Sequence, residues 1–216
     1  EWGTGRGEAV MYVPAHFRID DTAAMVAFMR RNGFALLTTS AEDGPFVSHL
    51  PLLHREGGGP NGRLVGHMAR ANPQWRHFAS GSPALVVFWG PHAYISPAWY
   101  ETPNQVPTWN YQTVHAYGRP RIVEDQAEVL ETLRLLADTY EGGFENPWRL
   151  ENLPAGQAAA MTRGIVAFEI AIERLEGKAK LSQNKTAQDR RNAADRLEAL
   201  GGEDNRRTAA LMRATI

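Results

Sequence analysis

The segment GIVAFEIAIERLEGKAKL, which begins at Gly164, constrains the fold more than any other stretch of the chain. Val166, Phe168, Ile170 and Ile172 alternate with alanine or glutamate, so in a β-strand these four side chains point to one side. A period of two residues is typical of a strand with one buried face and does not fit an amphipathic helix. The chain must therefore build a sheet in which this long strand faces a core.

Further strand-like segments precede it in an irregular order with short helices. The regular alternation of strand and helix that builds a doubly wound sheet is missing, and no glycine-rich phosphate loop joins a strand to a helix. The sequence therefore predicts a mainly β, α+β fold, an antiparallel barrel with helical additions. The other predicted strands are 34–40, 46–54, 63–69, 83–90 continuing into 92–96, and 106–124.

Helix start signals fall between the strands. Side chains that cap helices precede the predicted helices at Asp20-Asp21, Asn72, Asp125 and Thr186. Glycines at 201 and 202 interrupt the last of these helices. We therefore predict a barrel domain over residues 11–184 and a C-terminal helical extension, packed on the barrel, over residues 185–216.

Composition excludes several classes of protein. Hydrophobic residues make up 43% and charged residues 22% of the 216-residue chain, the balance of a folded protein. A formal net charge of −1 argues against a broad basic surface for nucleic acid. The sequence has no cysteine, so disulfides, thiolate zinc sites and cysteine nucleophiles are excluded. No metal site is predicted from the histidines, because none shows the helical spacing of a zinc hydrolase.

We expect neither a membrane helix nor a targeting peptide in this sequence. No run approaches the roughly 20 apolar residues of a membrane helix, and we expect a cytoplasmic protein without membrane contact. The first ten residues, EWGTGRGEAV, are predicted to be disordered, as an expression remnant or an extension upstream of a natural start at Met11.

The strand over 106–124 could line a binding pocket. Trp109, Tyr111, His115 and Tyr117 lie on one face of an unbroken strand. Aromatic rings beside a histidine suit a flat, anionic ligand, and the alternative is that they fill the barrel core.

The segment HMARANPQW suggests a phosphate site. Arg70 falls at the end of a strand, and Asn72 caps the short helix that begins with Pro73. A guanidinium next to backbone N–H groups at a helix start can bind phosphate. The alternative is an ordinary cap beside a surface arginine.

A second candidate is the end of the last predicted strand, LEGKAKLSQNK. In a regular strand Lys178, Lys180 and Ser182 would point the same way, and Gln183 adds amide donors next to a helix start. A bulge near Leu175 would re-aim them. The alternative is that lysines at a strand end are solvated.

Taken together, MYVPAHF, HMARANPQW, VPTWNYQTVHAYG and KAKLSQNK resemble the PaiB-like family, the FMN-binding negative transcriptional regulators. The resemblance runs from Met11 into the C-terminal helices. It implies a split barrel related to the pyridoxamine-phosphate oxidase-like fold, with FMN as the cofactor. It also implies a homodimer with flavin sites at the subunit interface, and repression of protease and sporulation genes.

The resemblance also implies a set of cofactor contacts. Phosphate ligands come from the segment after the third strand, and the neighbouring strand meets the isoalloxazine edge. A tryptophan and a histidine flank the ring, and the lysine-containing segment completes the polar end. Lys178 and Lys185 are expected to be solvated. The predicted contacts are Ser48, His49, His67, Arg70, Asn72, Trp109, His115, Lys180, Ser182 and Gln183.

Alternative functions remain open at this point. A flavin-dependent oxidoreductase or oxidase of the same fold class could act on a small molecule. The chain lacks the Arg-x-x-x-Leu-Lys pattern of true pyridoxamine-phosphate oxidases, which argues against vitamin B6 oxidation. Heme could replace the flavin. Direct DNA binding is weakly supported, because Lys185 to Arg213 contains seven basic and five acidic residues, so we expect any regulation to be indirect.

Overall fold

A computed structural model describes residues 11–154 and 156–216 of the chain. The prediction for residues 1–10 lies outside this part. Contacts divide the chain into two compact units. The barrel unit comprises Asp21–Trp89 and Val114–Leu175, and the terminal unit comprises the residues up to Asp20, Gly90–Thr113 and Glu176–Ile216. The boundary predicted between residues 184 and 185 stays a prediction.

Seven strands form one sheet in the order β1-β7-β4-β3-β2-β5-β6. Strand β7 also pairs with β6, so β2 to β7 close into a barrel, and the registered neighbours are antiparallel. The predicted antiparallel barrel with helical additions is confirmed. The strands are β1 (Arg18–Ile19), β2 (Phe34–Ala41), β3 (Gly44–Arg55), β4 (Arg63–Ala69), β5 (Ala84–Ile95), β6 (Thr108–Ile122) and β7 (Ile165–Lys180).

The side chains predicted to cap helices lie at the N-termini of the observed helices. The side chains of Asp21, Asn72, Asp125 and Thr186 each accept a hydrogen bond from a backbone N–H in the first turn, at 2.8 to 3.0 Å. The α-helices are α1 (Thr22–Arg31), α2 (Gln126–Glu141), α3 (Gln157–Met161), α4 (Ala187–Leu200) and α5 (Glu203–Arg213). Short 3-10 helices cover Ala15–Phe17, Pro73–Ser80, Pro97–Trp99, Leu150–Asn152 and Thr162–Gly164.

The core of the barrel unit contains the alternating face of β7. Val166, Phe168, Ile170 and Ile172 each expose 3% or less of their surface, as the two-residue period predicts. Burial of each such side chain contributes about 1.5–3 kcal/mol. Strands β6 and β7 approach so closely that a Cβ on Gly118 would lie 2.0 Å from the carbonyl oxygen of Ala171.

The terminal unit has a core of its own. Ile95, Tyr100 and Leu181 are buried with side chains of α4 and α5, among them Leu197 and Met212. The predicted C-terminal helices are therefore present and have a buried face. In the described part of the chain, no helix is long and apolar enough to span a membrane.

Candidate functional site

The predicted contacts fall into two sets, one in each unit. The barrel unit contains six of them, and the terminal unit contains Trp109, Lys180, Ser182 and Gln183. Each set is described below within its own unit. The barrel set is Ser48, His49, His67, Arg70, Asn72 and His115.

The barrel set includes a connected group of polar side chains. The Nδ2 of Asn72 donates to the Oγ of Ser48 at 2.8 Å, while its Oδ1 caps the 3-10 helix. The guanidinium of Arg70 donates to the carbonyl oxygens of Arg163 at 2.9 Å and Ile165 at 2.7 Å. Most of these donors and acceptors therefore hold the end of β4 in place. This arrangement agrees with the alternative stated for this segment, an ordinary helix cap beside a surface arginine.

The three histidines of the barrel set lie in different surroundings. His49 is exposed, with its ring 6.3 Å from that of Phe34. The ring of His115 lies 6.3 Å from that of Tyr117. His67 lines an apolar pocket, its Nδ1 is buried, and burial lowers its pKa from 6.5.

The terminal unit contains a cluster of three amines, Lys178, Lys180 and Lys185, which we call the lysine cluster. They are all the lysines of the sequence, among 23 lysine and arginine residues. An arginine differs from a lysine in shape and in acidity, so this segment presents cations of a different kind from the rest of the chain.

Lys178 is buried, with 7% of its surface exposed, and the expectation that it is solvated is wrong. Strand β1 pairs with the end of β7, where Arg18 lies opposite Lys178. The Nζ of Lys178 donates to the carbonyl oxygen of Tyr12 at 2.9 Å and lies 5.4 Å from the ring centroids of Tyr12 and Tyr111. The cation is held by a carbonyl and by aromatic faces.

Lys180 is half-buried at the last position of β7. Its Nζ donates to the Oγ1 of Thr108 and, at 2.9 Å, to the carbonyl oxygen of Trp109. Burial and then the charges of Lys178 and Lys185 lower the pKa of Lys180.

Lys185 is also half-buried, and its Nζ donates to the Oε1 of Gln105. The expectation that it is fully solvated is therefore only partly met. Within residues 11–154 and 156–216, no carboxylate forms an ion pair with any of the three amines. The lysine cluster therefore presents positive charge that this part of the chain does not neutralise.

Ser182 and Gln183 follow the strand instead of continuing it. Strand β7 ends at Lys180 and Ser182 has φ 64°, so the expectation that Ser182 points with the lysines from a regular strand is wrong. Its buried Oγ accepts from the Nδ2 of Asn110 at 3.0 Å and lies 3.2 Å from the hydroxyl of Tyr100. Gln183 accepts from the N–H of Leu181 and donates to a backbone carbonyl, so both residues shape the turn beside the amines.

An aromatic surface adjoins the lysine cluster. Trp109 exposes 53% of its surface, and its ring lies 6.0 Å from that of His92 and 5.9 Å from that of Tyr94. The sequence singled out Trp109 but missed its two neighbours, which come from β5. Exposed rings can stack on a flat ligand and neighbouring cations can bind its anionic group. FMN is such a molecule.

The comparisons with known proteins give the family. Residues 11–174 match the family model described as "Putative FMN-binding domain". The chain is 36% identical over 207 residues to "Protease synthase and sporulation protein PAI 2" of Bacillus subtilis, covering 94% of this chain and 96% of that protein. The chain belongs to the PaiB-like family of FMN-binding proteins. The family assignment and FMN as the cofactor, both predicted from the resemblance, are confirmed.

Solved structures share the fold of this PaiB-like chain. The FAD and heme binding protein of Mycobacterium smegmatis has a TM-score of 0.58 at 16% identity, covering 86% of this chain and 80% of that one. The flavocytochrome Anf3 from Azotobacter vinelandii has a TM-score of 0.56 at 15% identity, covering 78% and 72%. At such identities the likeness extends to the fold alone.

A metal centre has no support in the part of the chain that the structure describes. No group of three or more metal-binding side chains comes together there.

Proposed function

We propose that the lysine cluster binds the phosphate of FMN and that Trp109 lies against the isoalloxazine ring. The observation that supports this most strongly is the burial of Lys178 in a cluster that has no acidic partner among the described residues. An uncompensated buried charge costs several kcal/mol, and a doubly charged phosphate would offset that cost. Lys180 and Lys185, which are half-buried, can reach a ligand from solvent.

The residues around the cluster have separate roles in this proposal. Lys180 and Lys185 donate to phosphate oxygens, while the buried Lys178 adds positive charge that attracts the phosphate. Ser182 and Gln183 fix the turn that carries Lys185. Bound FMN supplies one- and two-electron redox chemistry. The contacts that remain predicted from the barrel unit are Ser48, His49, His67, Arg70, Asn72 and His115.

The proposed biological role is negative regulation of gene expression in a flavin-dependent manner. The relative from Bacillus subtilis carries a name that refers to protease synthesis and sporulation. In α4 and α5, Arg213 pairs with Asp195 at 2.9 Å and with Glu198 at 3.1 Å, and Arg207 pairs with Glu203 at 3.5 Å. Since Lys185 to Arg213 contains seven basic against five acidic residues and the whole chain has a net charge of −1, we propose that the regulation is indirect, through a ligand or a partner.

We further propose that the protein acts as a homodimer. In the barrel unit, the outward side of β2, β3 and β5 carries Phe34, Val47 and Trp89, with 65%, 47% and 55% of their surfaces exposed. Thr38 stands opposite Val47 on one side and Leu85 on the other, so these strands form one continuous face. A contiguous apolar face of this kind is typical of a protein interface. A cytoplasmic location remains a prediction from the sequence.

An FMN titration tests the proposed function. We expect the purified protein to quench FMN fluorescence with saturation at one flavin per chain, and FMN to raise the melting temperature. A protein that neither quenches nor gains stability would contradict flavin binding. Bleaching of the bound flavin by a nicotinamide cofactor with turnover would favour the oxidoreductase, and a Soret band would favour heme.

A further inference from the structure

The amine of Lys180 is oriented by two acceptors at an accessible part of the terminal unit. Its Nζ donates to the Oγ1 of Thr108 and to the carbonyl oxygen of Trp109. An unprotonated amine has two N–H groups and one lone pair, so with both hydrogens engaged the lone pair points away from these two oxygens. Trp109 is exposed, and Thr108 and Lys180 are half-buried, so a small molecule can approach this part of the surface.

The surroundings of Lys180 favour the unprotonated, nucleophilic form of its amine. Burial, and then the positive charges of Lys178 and Lys185, lower its pKa. Among the described residues, no carboxylate forms an ion pair with any of these three amines. A lysine that is partly desolvated and lies next to other cations is the kind that attacks carbonyl groups in proteins. The lysine cluster thus combines one nucleophile with two cations.

The charges at the site favour an anionic reactant. Lys185 is half-buried and uses one of its three N–H groups on the Oε1 of Gln105, so two remain for a ligand. The buried Lys178 adds positive charge to the same cluster. Hydrogen bonds from an ammonium group to a carboxylate or a phosphate are stronger than those between neutral groups.

We propose that Lys180 forms an imine with a small aldehyde that carries a carboxylate or a phosphate, and that Lys185 binds this anionic group. The unprotonated Nζ adds to the carbonyl carbon: a C–N bond forms, the C=O π bond breaks, and one proton moves from nitrogen to oxygen. The resulting carbinolamine loses its hydroxyl and the second N–H proton as one water molecule, which leaves a C=N bond. The step consumes no oxidant or reductant. It uses the same lysine cluster as the proposed function but does not require FMN.

Reductive trapping with 4-formylbenzoate tests the proposal, because cyanoborohydride reduces an imine to a stable secondary amine. The matched probe is 4-formylbenzamide, which has the same shape, is neutral and carries an aldehyde that is at least as electrophilic. We expect peptide mapping of the full chain to find saturable labelling at Lys180. Half-saturation with the carboxylate should need a roughly ten- to a hundredfold lower concentration than with the amide, the range for a charge-assisted hydrogen bond. Saturating FMN should block the labelling.

A pair of variants tests the role of Lys185. Lys185→Met should remove most of the preference for the carboxylate and leave Lys180 as the labelled residue. Arg191→Met makes a comparable change at an exposed cation of α4 in the same unit and should keep the preference. An unchanged preference in Lys185→Met would overturn the role of Lys185.

The wild-type protein decides the proposal as a whole. Equal half-saturation for the two aldehydes, or labelling mainly at Lys178 or Lys185, would overturn the imine site. FMN binding is measured separately by titration, so the two proposals can fail independently. A protein that binds FMN but is not labelled at Lys180 contradicts the imine site alone. A protein that is labelled with the expected preference but does not bind FMN contradicts the proposed function alone.

Discussion

The amine of Lys180 lies 2.9 Å from the carbonyl oxygen of Trp109, which joins the last residue of β7 to the start of β6. One contact thus places a cation of lowered pKa next to an exposed indole. This pair is the basis of the proposal that the amines bind the phosphate of FMN and that the indole lies against its isoalloxazine ring.

Replacing Lys180 should weaken flavin binding. Hydrogen bonds to charged groups contribute about 1.5–3 kcal/mol, so Lys180→Met should raise the Kd for FMN by roughly ten- to a hundredfold. Isothermal calorimetry or flavin fluorescence measures this directly. Arg191→Met is the control, because Arg191 is an exposed cation on α4 of the same unit. Equal affinities in the two variants would refute the phosphate assignment.

Lys180 should also be the lysine that reacts fastest with acylating reagents. Burial and the charges of Lys178 and Lys185 lower its pKa, so at a given pH more of its amine is unprotonated. With three lysines in the sequence, peptide mapping by mass spectrometry after brief acetylation resolves each of them. We expect Lys180 to be modified first, the buried Lys178 last, and FMN to protect Lys180. Preferential modification of Lys178 would contradict the described burial.

The stability of the barrel unit should depend on the protonation of His67. Its folded pKa lies below the ordinary 6.5, so below that pH the unfolded chain binds more protons and folding becomes less favourable. The contribution is fully present above about pH 7 and is lost as the pH falls through the folded pKa. Urea unfolding of wild type and His67→Leu at several pH values isolates it. The unfolding free energy of wild type minus that of His67→Leu should be constant at high pH and should decrease in acid. A difference that does not vary with pH would count against a buried neutral imidazole.

The turn after β7 should depend on the Oγ of Ser182. Ser182→Ala leaves the buried amide of Asn110 and the hydroxyl of Tyr100 without this partner, and should cost about 1–3 kcal/mol of unfolding free energy. Ser82→Ala, at an exposed position, is the control and should change stability by less than about 0.5 kcal/mol. Thermal unfolding of both variants gives the comparison. Equal melting temperatures would show that the Ser182 hydroxyl is dispensable.

The sequence was a good guide wherever a local pattern decides the outcome. The alternation of Val166 to Ile172 gave the buried face of β7, and the caps at Asp21 and Asp125 gave the helix starts. Family segments gave the fold class and the cofactor. Each of these features depends on residues that are near in sequence or on a motif that covers most of the chain.

Features that depend on distant pairing were not predictable. Lys178 is buried and contacts Tyr12, which is 166 positions away in sequence, and Tyr111. The left-handed backbone of Ser182 follows from bonds to Tyr100 and Asn110, which are more than 70 positions away in sequence. One signal was present in the composition: all three lysines of the chain lie within eight residues.

Gly118 should be essential for closure of the barrel. A Cβ at this position would lie 2.0 Å from the carbonyl oxygen of Ala171 and 2.9 Å from the side chain of Ile170, so β6 and β7 would have to separate. Because the first contact is with backbone, a change of rotamer cannot relieve it. We expect Gly118→Ala to lower the unfolding free energy by about 3 kcal/mol or more, the upper range for overpacking. Gly143→Ala is the matched control, since a Cβ there meets nothing within 4 Å and should leave stability almost unchanged. Chemical unfolding of the two variants measures the difference, and equal midpoints would show that the strands can part without cost.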